Sequence, residues 1–155
     1  MIKLLTDEDI DPYREKYKYL HIGLIQVAFK SVTLQGLNAS ILSCLRDARC
    51  LSWTQSLMGI MQTSRCYRPV YFNVYLNLSL PLTDPNILEA ISLKIKTNGY
   101  EFLPRLKIIA INYRIHYKAL SIIAPNAKYH IAPGRTVLVE TNLLSSHVTV
   151  NKQIK

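Results

Sequence analysis

The stretch LRDAR, residues 45–49, places Asp47 between Arg46 and Arg49 at the end of an apolar run. A carboxylate so flanked has two uses. It can be an acid–base group tuned by its neighbours, or one half of an ion pair that satisfies it near the protein interior. Asp84, Glu101 and Glu140 are the other acids that could complete a carboxylate pair or a metal site, and their spacing demands neither. His21, His116, His130 and His147 are scattered, and Cys44, Cys50 and Cys66 form no CxxC. There is no GxSxG, no HExxH and no Gly-rich phosphate loop. APGRT (132–136) lacks both the spacing and the lysine of one. Neither catalysis nor a metal, cofactor or small-molecule substrate is expected. In an extended strand Leu45, Asp47 and Arg49 share a face, so the expected role of Asp47 is a strand-end ion pair with Arg49. Asp84, followed by Pro85, is expected to cap a short helix running to about Ala90.

Charge is the second signal. The chain of 155 residues has a formal net charge of +9. Residues 1–15 hold two basic and five acidic residues, net −3, so residues 16–155, with 17 basic and five acidic, carry +12. Such an excess favours polyanionic partners, nucleic acid or an anionic membrane surface. No apolar run approaches the length of a membrane-spanning helix, and the N-terminus has no secretory-signal pattern. NAS (38–40) and NLS (77–79) then read as chance matches to a glycosylation site, and three cysteines as reduced thiols.

The elements that must position these residues are mostly strands. PVYFNVYLNLSL (69–80) alternates strictly, with Val70, Phe72, Val74, Leu76, Leu78 and Leu80 on one face and Tyr71, Asn73, Tyr75, Asn77 and Ser79 on the other. KIIAINYRIHYK (107–118) repeats the pattern, with Asn112, Arg114, His116 and Lys118 on the wet face, and SLKIKT (92–97) sets Lys94 and Lys96 against Leu93 and Ile95. HIGLIQVAF (21–29) is apolar on both faces, as a central strand requires. Segments 39–48 and 56–64 admit strand or helix, with strand preferred for the first. NG (98–99) signals a turn, 31–38 and 124–134 read as turn and loop, and strands are expected at 135–142 and near 147–150. Residues 1–18 read as a loosely attached arm with a short helix capped by Thr6 and limited by Pro12. Residues 19–155 read as a single domain. About eight strands and little helix point to a mainly β fold, an antiparallel sandwich or barrel. If the basic strands share a sheet, Lys94, Lys96, Arg114, His116 and Lys118 form a nucleic-acid-binding face, with Tyr71 and Tyr75 as stacking platforms. The competing reading is a solvated outer face.

YLHIGLIQVAFK (19–30), GLNASILSCLRDARC (36–50), PVYFNVYLNLSLPLTDPNILEAISLKIKTNGYEFLP (69–104) and YRIHYKAL (113–120) together resemble the 30K superfamily of plant virus movement proteins. The likeness is to the type of plant pararetroviruses and their copies in plant genomes. It implies a β-rich, jelly-roll-like core with one or two short helices. It also implies binding of single-stranded nucleic acid, self-association, contacts with plasmodesmal or membrane-associated host proteins, and transport of viral genomes between plant cells through plasmodesmata. The protein would then work in the cytoplasm and at the periphery of the host cell. In the resemblance Asp47 takes the hallmark acid position, with Arg49 beside it, Asp84 lies in the second motif, and Gly99 is the turn glycine. LPRL (103–106) departs from the family's LPGS, and relatives typically continue beyond a core of this length. Both departures suit the alternative, a transport-inactive remnant of an endogenous viral gene, truncated at its C-terminus.

Overall fold

The structure, a computed structural model, describes residues 1–32, 40–64, 68–98, 107–122, 130–131, 135–141 and 148–154. Among these are ten strands: β1 (Ile2–Lys3), β2 (Tyr19–Ser31), β3 (Ser40–Arg46), β4 (Leu57–Ser64), β5 (Val70–Pro81), β6 (Ser92–Asn98), β7 (Lys107–Leu120), β8 (His130–Ile131), β9 (Arg135–Thr141) and β10 (Val148–Ile154). Helix α1 covers Asp7–Arg14, the single turn α2 covers Trp53–Ser56, and a 3-10 turn covers Ile87–Glu89. One sheet runs β1-β6-β3-β4; the other runs β10-β9-β7-β2-β5, with β8 paired to β7. All the pairings are antiparallel. Side chains of both sheets meet in one apolar cluster, so the fold is the expected antiparallel sandwich.

β2 is the central strand its two-sided apolarity requires, hydrogen-bonded to β5 on one side and β7 on the other. Its buried apolar positions are Leu20 and Ile22, then Ile25, Val27 and Phe29, with register shifts against both neighbours between Ile22 and Leu24. Gly23 sits at this break, where the inward-facing set changes phase. β3 and β4 are both strands, which resolves the two ambiguous segments. Pairing with β6 and β4 puts Ile41 and Leu45 into the core and leaves Leu42 on the opposite face.

The N-terminal segment is not a loose arm. β1 pairs with β6 through Ile2↔Leu93, the Leu4 amide donates to the Ile91 carbonyl (3.0 Å), and Leu4, Leu5 and Ile10 are buried. Its exposed acids concealed these three apolar anchors. Asp9 closes the start of α1 by accepting from the Thr6 amide and hydroxyl, both at 2.8 Å. Tyr13 from α1 meets Tyr117 of β7 edge-on, hydroxyl to hydroxyl at 3.1 Å. The expected loop at 124–134 contains β8, which pairs His116↔Ile131 and Tyr117↔His130. The turn at 31–38 (beyond Val32), Cys66, Gly99, Glu101, Arg105 and His147 lie outside the described residues.

Candidate functional site

The acid of LRDAR sits where β3 ends. Arg46 is the last strand residue, and the chain is then held from two sides. The Asp47 amide donates to the Ser56 carbonyl (2.8 Å) and the Ala48 amide to the Glu89 carbonyl (3.0 Å). Within this frame Arg49 folds back on Asp47: Nε donates to Oδ1 at 2.9 Å and Nη2 to Oδ2 at 2.6 Å. The Arg49 amide adds a third bond to Oδ1 at 3.0 Å. The remaining arm of the guanidinium, Nη1, donates to Asp84 Oδ2 at 2.6 Å. One arginine therefore joins two carboxylates 37 residues apart in sequence, tying the loop after β3 to the connection between β5 and β6. Hydrogen bonding to Asp47, aided by Asp84, pushes the Arg49 pKa further up. The Asn86 amide (2.8 Å from Asp84 Oδ1) and then Arg49 hold the Asp84 carboxyl below the usual range. The geometry of Asp84 differs from the expected helix cap. Its side chain closes a turn onto Asn86, and it is Asn86 that precedes the 3-10 turn.

This arrangement leaves both acids engaged with a permanent cation, which suits a structural clasp. Among the described residues no group of three or more His, Cys, Asp or Glu is gathered to hold a metal ion. No helix among them is long and apolar enough to cross a membrane.

The basic residues are divided between the two sheets. Lys94 and Lys96 project from β6 on the four-stranded sheet, whereas Arg114, His116 and Lys118 belong to β7 on the other. The single basic face anticipated for all five does not form, because alternation fixes a side for each strand but not its sheet. Lys118 is also not on a wet surface: it is only 4% exposed, beside His21 in register. His21 accepts or donates at Nδ1 to the Ser79 hydroxyl (2.8 Å), and burial together with Lys118 lowers its pKa.

What the six-stranded sheet does gather is an aromatic and amide-rich face. The register sets Tyr71 beside Ala28 and Asn112, Asn73 beside Gln26 and Arg114, and Tyr75 beside Leu24 and His116. Tyr71 and Tyr75 are 73% and 79% exposed. The Gln26 amide donates to Asn73 Oδ1 (3.4 Å), and His116 Nε2 donates to Gln26 Oε1 (2.9 Å), which requires the proton on that nitrogen. Lys30 continues the same face of β2, and Arg114 is exposed on it. The three strands that build this face, β2, β5 and β7, contain no Asp or Glu. Gln26, Asn73, Asn112 and Lys30 were not singled out from the sequence. The one available signal was Gln26, a lone amide in the apolar HIGLIQVAF.

A family model described as viral movement protein matches residues 1–123, which carry both acids of the clasp and the whole aromatic face. The chain belongs to the viral movement protein family. It is 32% identical to the movement protein of soybean chlorotic mottle virus over 105 residues, covering 67% of this chain and 35% of that protein. The putative movement protein of Cestrum yellow leaf curling virus is 28% identical over 105 residues, covering 67% and 34%. The movement protein of Figwort mosaic virus (strain DxS) is 29% identical over 84 residues, covering 54% and 26%. These relatives place the chain with the 30K-superfamily movement proteins of plant viruses. Family membership thus meets the expectation raised by the motifs around Asp47 and Asp84. The chain spans about a third of the length of the curated relatives it matches. No solved structure matches it.

Proposed function

We propose that this sandwich is the core of a movement protein that binds single-stranded nucleic acid on the outer face of its six-stranded sheet and supports passage of viral genomes between plant cells through plasmodesmata. It acts by binding, without catalysis. The observation that carries the nucleic-acid reading is the face that β2, β5 and β7, strands without Asp or Glu, build with Tyr71, Tyr75, Arg114 and Lys30. Exposed rings supply sequence-tolerant stacking surfaces, and the cations track the backbone. Tyr71 and Tyr75 lie four residues apart on one strand, about 13 Å at ~3.3 Å per residue, so they engage separate bases. Gln26, Asn73 and Asn112 add hydrogen-bonding edges between them. Lys94 and Lys96, on the opposite sheet, stand apart from this surface, and Lys118 is buried beside His21. Self-association is assigned to strand edges. Among the described residues β4 and β5 each pair on one side only, and such edges accept a further strand. The working site is the cytoplasm and periphery of the host plant cell, where plasmodesmal or membrane-associated host proteins are further partners.

The test is anisotropy titration of a fluorescein-labelled oligo(dT) or oligo(U) with the full chain across a salt series. Tyr71→Ala with Tyr75→Ala is expected to weaken binding by at least about tenfold, since each stacked base contributes about 1–3 kcal/mol. Arg114→Gln is expected to reduce the salt slope by about 0.7, the loss of one phosphate contact. Parent affinity and parent slope in these variants would overturn the surface. The transport reading is tested separately with a fluorescent fusion in leaf cells: puncta at the wall are expected, and a uniformly diffuse signal rejects it.

A further inference from the structure

The outer face of the four-stranded sheet has a different chemistry. Register sets Leu42 beside Lys96, and Cys44 between Lys94 and Ile60, all on this face. Trp53 of α2 stands over them, and with Ile95 these residues line an open groove of about 390 Å³. That volume lies in the range of ligand-binding clefts. The floor is aliphatic, yet it is not closed over: Trp53 is 48% exposed and Ile60 57% exposed. The Arg46 guanidinium lies 4.8 Å and the Lys94 ammonium 5.5 Å from the indole centroid, which holds the ring in place. Neither Lys94, Lys96 nor Arg46 forms an ion pair among the described residues. Arg46 donates to the Cys50 carbonyl at 3.3 Å.

An apolar floor ringed by cations without acid partners is complementary to an occupant that is apolar at its centre and anionic at its flanks. We infer that this groove binds a short peptide segment of a partner protein carrying a bulky apolar side chain flanked by Asp and Glu. The apolar side chain removes Leu42, Ile60 and Trp53 from water, and the flanking carboxylates meet Lys94, Lys96 and Arg46. Nucleic acid fits less well. Unpaired bases stack on open aromatic faces, whereas Leu42, Ile60 and Ile95 offer no ring and the one indole already carries two of the protein's own cations. Trp and Arg are also the residue types that concentrate binding energy at protein interfaces. This surface is on the opposite sheet from Tyr71 and Tyr75 and does not depend on their role.

The probe is a fluorescein-labelled peptide with a central Phe–Leu pair flanked by runs of Asp and Glu, titrated with the full chain. The controls are a Lys-flanked peptide and one with Ala–Ala at the centre. Binding of the acidic Phe–Leu peptide, above both controls, is expected. Lys94→Ser with Lys96→Ser is expected to weaken it about tenfold, two exposed ion pairs' worth, and Ile60→Ser by a similar factor. Tyr71→Ala with Tyr75→Ala leaves it unchanged. All these side chains are exposed, and an unchanged unfolding midpoint confirms that each variant folds. Equal binding of the control peptides, or no loss in the groove variants, overturns the proposal. So does a loss of oligo(dT) or phosphatidylserine-vesicle binding in the groove variants while the peptide is unaffected, which would give the groove to nucleic acid or membrane.

Discussion

Replacing Asp47 by Asn isolates the clasp with almost no change in volume. The residue is only 7% exposed, and its side chain takes three hydrogen bonds from Arg49. Asn can still accept at Oδ1 from the Arg49 amide and Nε. Its other terminus becomes an NH2 group facing Arg49 Nη2, so a 2.6 Å charge-assisted bond turns into donor against donor. Losing one partner of a fully buried ion pair costs about 3–5 kcal/mol. Here Arg49 is partly exposed and keeps Asp84, so the lower figure for a hydrogen bond to a charged group applies, about 2–3 kcal/mol. At roughly 2–4 °C per kcal/mol for a domain of this size, the expected fall in Tm is about 4–12 °C. Thermal unfolding followed by circular dichroism measures it. A double-mutant cycle with Arg49→Met should recover part of the loss, because the uncompensated guanidinium is then gone. Oligonucleotide affinity of the folded Asp47→Asn protein should stay near that of the parent, because the clasp is separate from the aromatic face. A variant that melts within about 1 °C of the parent yet loses oligonucleotide binding would refute the structural role of Asp47.

Gly59 of β4 faces β5, where an added Cβ would meet Val74 Cγ2 at 2.8 Å and Phe72 Cζ at 3.0 Å. Gly59→Ala should therefore destabilise by about 1–2 kcal/mol, seen as a lower urea midpoint at unchanged slope. Ile10 is fully buried, and Ile10→Ala should cost about 2–4 kcal/mol in the same assay, whereas a loose arm would tolerate it. The depressed Asp84 pKa contributes stability that is complete above its ordinary value of 3.8 and lost as pH falls through the folded value, so Asp84→Asn should flatten Tm against pH below about 4. His21 is also depressed, from 6.5, so the unfolded chain takes up its proton first and stability declines as pH drops below that value. His21→Asn should remove that part of the slope between about pH 7 and 5, read from Tm across the series.

Local pattern was enough for much of the architecture. Strict alternation in 69–80 and 107–118 identified β5 and β7 and told inward from outward side chains, because a strand's two faces follow from its own period of two. The two-sided apolarity of 21–29 marked a central strand for a similar reason: both faces were free of charge. The local pairing of Asp47 with Arg49 was also legible, but it forms in the turn after β3 and not on a shared strand face, because the strand ends at Arg46 and the Arg49 amide bonds back to Asp47 Oδ1. Other features depended on which distant segments meet. Arg49 reaches Asp84 only because the β5–β6 connection packs against the end of β3, and nothing local links them. Lys94 and Lys96 alternate as Arg114 does, yet β6 pairs with β3 while β7 pairs with β2, so equivalent patterns end on opposite sides of the sandwich. Lys118 continues the outward phase of its strand but is buried beside His21, a matter of neighbours rather than period. The acidic N-terminus looked detachable because charge dominates its composition, while Leu4, Leu5 and Ile10 find their partners only in the folded core. The sequence determined the long alternating strands and the outward-facing chemistry of each; tertiary pairing decided the short or ambiguous ones, β1, β3, β4 and β8, and which faces became one surface, because hydrogen-bond partners between strands are chosen across the whole chain.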